Sequence, residues 1–286
     1  MRRAPGALFA VWLAVAPSAR AEPADAATAR AAGLRAEPIT AETAPELLIG
    51  GPDAIGGVGD WYLANDVVEV IVDDPGRRFG KRNHGGVIVD AGLRDRRGED
   101  QFAELFPLLN LDQRVELRFD RIRAEVDPGG AWARLVVSGS RGPNVIERGG
   151  RLSRIFDLLV PDATEIADVR VETEYAVFPG EPWVRITTTI RNDGERPAPI
   201  FAYADVLMRG GNSMRSFVAN TLAPERTQGF THTSFDRTNI LGSGAAMASF
   251  TLVSVPGVFQ FPPIAYAVFS PERTARGVPS YGVTNE

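Results

Sequence analysis

The chain has 286 residues, 44% hydrophobic and 23% charged, which is enough apolar material for one large or two modest cores and excludes disorder throughout. It holds no cysteine and two histidines, His84 and His232. That excludes disulfide frameworks, cysteine–zinc sites, thiol nucleophiles and a histidine-rich metal centre built from this chain alone, while a formal charge of -5 argues against general nucleic-acid binding.

Residues 1–21 read as an export signal. Arg2 and Arg3 form a positive start, residues 7–16 (ALFAVWLAVA) an apolar core too short for a stable bilayer anchor, and Ala19-Arg20-Ala21 an A-x-A cleavage site. The structural alternative is a buried N-terminal helix. Cleavage after Ala21 removes three arginines and no acid, taking the formal charge from -5 to -8. No cysteine follows the small residues, which argues against a bacterial lipid anchor. With no second long apolar run, the processed protein is expected to be periplasmic or secreted, with no membrane association. Residues 22–45 read as an Ala/Pro-rich linker or a short frayed helix, and residues 46–286 as the folded domain.

The body carries the signals of strands and turns. Residues 61–63 (WYL) and 67–72 (VVEVIV) form a β-branched run, the mark of a strand covered on both faces, and Asp73-Asp74-Pro75-Gly76 is turn chemistry. Residues 86–91 (GVIVDA) predict another strand. Residues 115–126 (VELRFDRIRAEV) alternate apolar with charged, end at Asp127-Pro128-Gly129-Gly130, and predict a hairpin with residues 132–138. Residues 169–178 and 183–191 predict a second hairpin around Pro179-Gly180-Glu181-Pro182. Further strands are expected over 200–208, 249–253 and 264–269. Only residues 100–109 (DQFAELFPLL) predict a helix, cut short by Pro107. The expected fold is all-β: a large antiparallel two-sheet sandwich with one short helix near 100–109. Every basic residue except Lys81 is arginine, which we attribute to GC-rich bacterial codon use, since the arginines do not cluster.

Three stretches carry a resemblance. Residues 59–68 (GDWYLANDVV) match an opening of the form GD(F/Y)-L-x-N-D-x-V. Residues 84–91 (HGGVIVDA) with 98–107 (GEDQFAELFP) match a GG-x-(I/L)-x-D-A … G-x-D-Q-x-x-E-L-F-P core. Residues 174–184 (EYAVFPGEPWV) with 187–192 (TTTIRN) match a hairpin common among sandwich domains. Together they resemble the N-terminal β-domain of secreted bacterial carbaryl-hydrolase-like (CehA/McbA-type) metallohydrolases, a domain similar to galactose-mutarotase-like supersandwiches. The resemblance implies a supersandwich over residues 47–286 and, in such proteins, a PHP-type metal-binding domain later in the chain. This sequence has no HxH motif, and it reads as cut short within a strand beginning near residue 280, so metal hydrolysis is not carried over.

Each candidate site residue also has a structural role open to it. A mutarotase-like site uses an imidazole and a carboxylate as acid and base across a sugar ring, and His84 or His232 with Glu104, Glu174 or Asp205 could supply it; otherwise both histidines are loop residues. For ligand binding the candidates are Arg82, His84, Tyr203, Asp205 and Arg209, since an aromatic, a carboxylate and an arginine at a strand end suit sugar hydroxyls. Asp95, Glu99 and Asp100 are weak calcium candidates, with Asp100 better read as the cap of the short helix. Ser153, Ser213 and Ser234 have no G-x-S-x-G elbow, and no phosphate-binding loop is present. The expectation is an exported, non-catalytic β-sandwich module that binds a glycan or packs against a metal-dependent hydrolase domain of a longer parent protein. The alternative is a mutarotase- or epimerase-like sugar enzyme. Neither reading calls for a cofactor or a nucleic-acid partner.

Overall fold

The structure, a computed structural model, describes residues 7–17, 33–77, 84–109, 117–140, 169–195, 203–209, 214–219, 230–232, 249–254, 264–269 and 281–283. In chain order the elements are β1 (Ala7–Pro17), β2 (Arg35–Pro38), the one-turn helix α1 (Ala44–Leu47), β3 (Trp61–Ala64), β4 (Val68–Val72), β5 (Ile88–Leu93) and β6 (Phe102–Leu109). There follow β7 (Arg121–Val126), β8 (Ala133–Ser140), β9 (Val169–Val177), β10 (Trp183–Asn192) and β11 (Tyr203–Arg209). The last are β12 (Met214–Ala219), β13 (Phe230–His232), β14 (Ser249–Ser254), β15 (Ile264–Phe269) and β16 (Tyr281–Val283).

These strands build two sheets, as the sequence pattern predicts. Nine strands form one in the order β13-β12-β14-β15-β1-β10-β9-β8-β7, and seven form the other in the order β16-β11-β6-β5-β4-β3-β2. All pairings are antiparallel except β11 with β16. The sheets stack so that β2 and β3 approach β7–β9, β5 approaches β1, and β11 and β16 approach β12 and β14.

Both predicted hairpins are present, for the turn-chemistry reasons anticipated. Between β7 and β8 the Asp127 N–H donates to the Trp132 carbonyl at 2.9 Å and the Asp127 carboxylate accepts from Ala131 N–H at 3.0 Å. Between β9 and β10 the turn closes from Glu181 N–H to the Phe178 carbonyl. Along β9, Val169, Val171, Thr173, Tyr175 and Val177 are buried, while Arg170 and Glu172 between them are exposed. Val184, Ile186, Thr188 and Ile190 continue the buried row on β10. Period-2 alternation thus turns one face of the nine-stranded sheet inward. Thr173 and Thr188 face each other in register and bond hydroxyl to hydroxyl at 2.9 Å, which satisfies two polar groups inside the core.

The seven-stranded sheet is covered on both sides. Every residue of β4 and β5 is buried, as the unbroken β-branched run predicts. One face meets the other sheet. The opposite face lies under residues 39–60, with Ile39, Leu47 and Ile49 buried there, and a side chain at Gly92 would sit 3.1 Å from Ile49.

Two expectations are corrected. Residues 102–109 form β6, between β5 and β11, and not a helix. Their apolar spacing fits a helix because a strand buried on both faces shows no alternation, so a short run of this kind is ambiguous by period. Pro107 lies two residues beyond the single register pair with β5, Ile88 opposite Leu105, and is opposite Asp205 in the ladder with β11. Secondly, part of the segment read as a linker is folded: Arg35–Pro38 is the edge strand paired with β3, and α1 begins at Ala44. Residues 7–16, read from the sequence as the apolar core of an export signal, lie in β1, paired with β10 on one side and β15 on the other. The A-x-A cleavage site lies outside the described residues.

Candidate functional site

Buried polar residues concentrate on the seven-stranded sheet and the loops around it, most of them in the first two motif stretches. Asp60, Asn65, Glu69, Asp73, Asp90, Asp100, Gln101 and Glu104 are each at most 3% exposed. A buried carboxylate needs partners, so the partners reveal its role.

Asp90, on β5, points at the covering segment. Its Oδ1 accepts from Ile55 N–H at 2.8 Å and Gly56 N–H at 3.1 Å. Asp60 ends that segment, accepting from Gly57 N–H at 2.8 Å and Asp74 N–H at 3.0 Å and pairing with the Arg77 guanidinium, which also donates to the Ile55 carbonyl at 2.7 Å. Asp100 holds the same segment from below: its N–H donates to the Gly50 carbonyl, its carbonyl accepts from Asp53 N–H, and its Oδ1 accepts from Ala91 N–H at 3.1 Å. Asp100 caps no helix, since none follows it. Gly51 makes the approach feasible: it has φ +144°, and a Cβ there would lie 2.3 Å from the Asp100 nitrogen.

Burial in this layer raises the pKa values of all three carboxyl groups. Burial pushes Asp90 up to about 6, with the charge of Asp60 adding to the effect and the two N–H donors opposing it. Burial lifts Asp100 well above the usual carboxylate range, with Asp90 again adding, and lifts Asp60 against its N–H partners and Arg77.

A second group of polar residues ties the sheets together. The Tyr266 hydroxyl, from β15, lies 3.2 Å from the Ala91 carbonyl and 3.1 Å from Asp100 Oδ1, and accepts from Gln101 N–H at 3.1 Å. The Tyr175 hydroxyl, from β9, donates to the Gly86 carbonyl at 3.0 Å. Asn65 accepts from Val67 and Val68 N–H with its oxygen, and its amide donates to the Phe178 and Glu181 carbonyls at 2.6 and 2.7 Å. Asp66 accepts from Gly180 N–H. The N-D and P-G motifs, more than 110 residues apart, are therefore two halves of one clip.

The predicted site residues fall as follows. His84 is half-buried just before β5, and the following Gly85 and Gly86 dock on residues 73–75, where a Cβ at Gly85 would meet the Asp74 carbonyl oxygen at 1.9 Å. The paired glycines serve this close chain approach. His232 lies on β13, at the edge of the other sheet. Glu104 is buried on β6, opposite Met208; Tyr203, Asp205 and Arg209 follow the adjacent β11, opposite Leu109, Pro107 and Phe102. Topology thus brings Glu104 and the β11 candidates to neighbouring strands, while His84 lies in the loop before β5 and His232 on the edge strand β13 of the nine-stranded sheet. Glu174 is on the outer face of β9, bound to Arg134 at 2.7 Å. Of the calcium candidates, Asp95 is exposed in the turn after β5, Glu99 pairs with Arg96 at 2.8 Å, and Asp100 is enclosed as described. Among the described residues no three His, Cys, Asp or Glu side chains gather as a metal cage. Arg82 and the three serines lie outside the described residues.

The outer face of β7–β10 is a ladder of charge. Arg134 bonds Glu125 at 2.8 Å and Glu174 at 2.7 Å and lies over the Trp132 ring; Arg185 lies over Phe178. These half-exposed groups satisfy one another.

Tyr266 and the burial of the motif acids escaped the sequence reading. A signal for the latter was present: a lone carboxylate inside a run such as VVEVIV or VIVDA must be buried with its strand. No protein-family model, curated protein or solved structure matches the chain.

Proposed function

We propose that the chain is an exported, non-catalytic β-sandwich module that packs against a metal-dependent hydrolase domain of PHP type, as the resemblance of its motifs implies. One observation carries the reading. In the first two motif stretches the buried polar residues Asp60, Asn65 and Asp90 hold backbone groups of the same chain. A group whose lone pairs are occupied by structural N–H donors is poorly placed to move a substrate proton. The separate placement of His84, in the loop before β5, and of His232, on the edge strand β13, also weighs against a shared imidazole site.

The test has two arms. Sedimentation of the chain with a separately produced PHP-type hydrolase domain is expected to give a one-to-one complex. Polarimetry of freshly dissolved α-D-galactose and α-D-glucose is expected to show no acceleration of mutarotation. A rate enhancement that disappears in His84→Ala would overturn the reading in favour of the sugar enzyme. Saturable binding of a glycan without a complex would assign the module to carbohydrate recognition instead.

A further inference from the structure

β1 holds the two halves of the nine-stranded sheet together. Eight of its residues are in register with β10 and six with β15, antiparallel on both sides. β10 and β15 therefore run parallel to each other two strand spacings apart, roughly 9.6 Å. Remove β1, and β13-β12-β14-β15 is left facing β10-β9-β8-β7 across a gap one strand wide. The two edges cannot close by antiparallel pairing, because they point the same way.

The strand seated there defines what fits. It is eleven residues long, extended and uncharged. Phe9, Val11 and Leu13 are opposite Thr188, Ile186 and Val184 of the buried row on β10, and Val15 and Pro17 are opposite the buried Tyr266 and Ile264 on β15. These same residues are the apolar core of the export signal. A leader cleaved after Ala21 departs, whereas a central strand must be present for its neighbours to be paired.

We propose that the gap between β10 and β15 is a strand-acceptor site, and that in the processed chain it takes an extended, uncharged, apolar segment of about ten residues from the partner protein, in the direction β1 now occupies. Main-chain hydrogen bonds along both edges supply the affinity and the alternating register positions the selectivity, as in other cases of strand addition. An unfilled gap would leave two rows of backbone groups unpaired, which folded sheets avoid. The inference rests on the reading of the chain as a packing module and specifies how the partner is gripped.

The experiment uses the full chain, produced without export and carrying a protease site within residues 22–32, cut after folding. The probe is a labelled peptide of residues 7–17 with two added lysines, alongside its Val11→Pro form. Val11 lies opposite Ile186, and proline there removes a ladder donor from a central strand. The cut leader fragment is expected to remain with the body through size exclusion. Excess labelled peptide should displace it to saturation at one per chain, with the proline peptide weaker by about tenfold or more, the loss of roughly 1.4 kcal/mol. Separation of the fragment with unchanged melting overturns the proposal. So does equal binding of the proline peptide, which would mean apolar adsorption, or a dimer that excludes the peptide, which would make the occupant a second copy. Hydrolase-domain binding measured in parallel separates the two claims. Binding that the peptide does not compete for defeats the slot alone, and peptide exchange without hydrolase binding defeats the module reading alone.

Discussion

Replacing Asp90 by asparagine should change how stability depends on pH. Burial holds this carboxyl group near 6 in the folded chain against an ordinary 3.8. The native state therefore keeps a proton over the interval in which the unfolded chain gives it up, so the group's contribution to stability is fullest below about pH 4 and is lost as the pH rises through 6. At about 1.4 kcal/mol per pH unit, the rise corresponds to roughly 3 kcal/mol. Asp60 and Asp100, raised in the same direction, steepen the wild-type decline. In Asp90→Asn the amide oxygen can still accept from Ile55 and Gly56 N–H, so the latch on the covering segment is kept while the charge is removed. Urea denaturation followed by tryptophan fluorescence at pH 4, 5, 6, 7 and 8 gives both stabilities. The asparagine variant should be equal to or slightly weaker than the wild type at pH 4 and gain on it steadily, by up to about 3 kcal/mol at pH 8. A difference that stays constant across this range, or that grows in favour of aspartate, refutes the burial argument.

Gly51→Ala should destabilise by about 2 kcal/mol or more, since it places a Cβ 2.3 Å from the Asp100 nitrogen at φ +144°; a urea midpoint within error of wild type would show that the covering segment is not held there. Tyr266→Phe should cost about 1–3 kcal/mol, because it strips Gln101 N–H of its acceptor and leaves polar groups stranded between the sheets. Tyr175→Phe removes the donor to the Gly86 carbonyl and should cost about 1 kcal/mol, so thermal melts should rank the two. Asn65→Ala breaks the clip at both ends and should cost about 2–4 kcal/mol, whereas Arg134→Met on the half-exposed ladder should cost under about 1 kcal/mol; the reverse order in chemical denaturation would contradict the burial reasoning.

Alternation made β7 and β9–β10 legible, and Asp-Pro-Gly and Pro-Gly turns located their hairpins, because period-2 polarity and turn chemistry are local properties of the chain. Residues 102–109 were misread for the complementary reason. Their environment is supplied by β5 on one side and, on the other, by β11, which comes far later in the sequence. Site residues fared likewise: the motif stretches are recognisable as special, but the sequence reads Asp100 as a helix cap and assigns Asp90 no role, and their N–H partners on residues 91 and 55–56 come into view only in the fold.

The amino-acid order alone determined the all-β class and the main turns, since each depends on neighbours a few positions away. Tertiary structure decided that the motif acids are enclosed, that Asn65 joins a turn more than 110 residues distant, and that the apolar residues 7–17 form a central strand. Burial and hydrogen-bond partnership are set by contacts between remote segments, and only the folded chain brings those segments together.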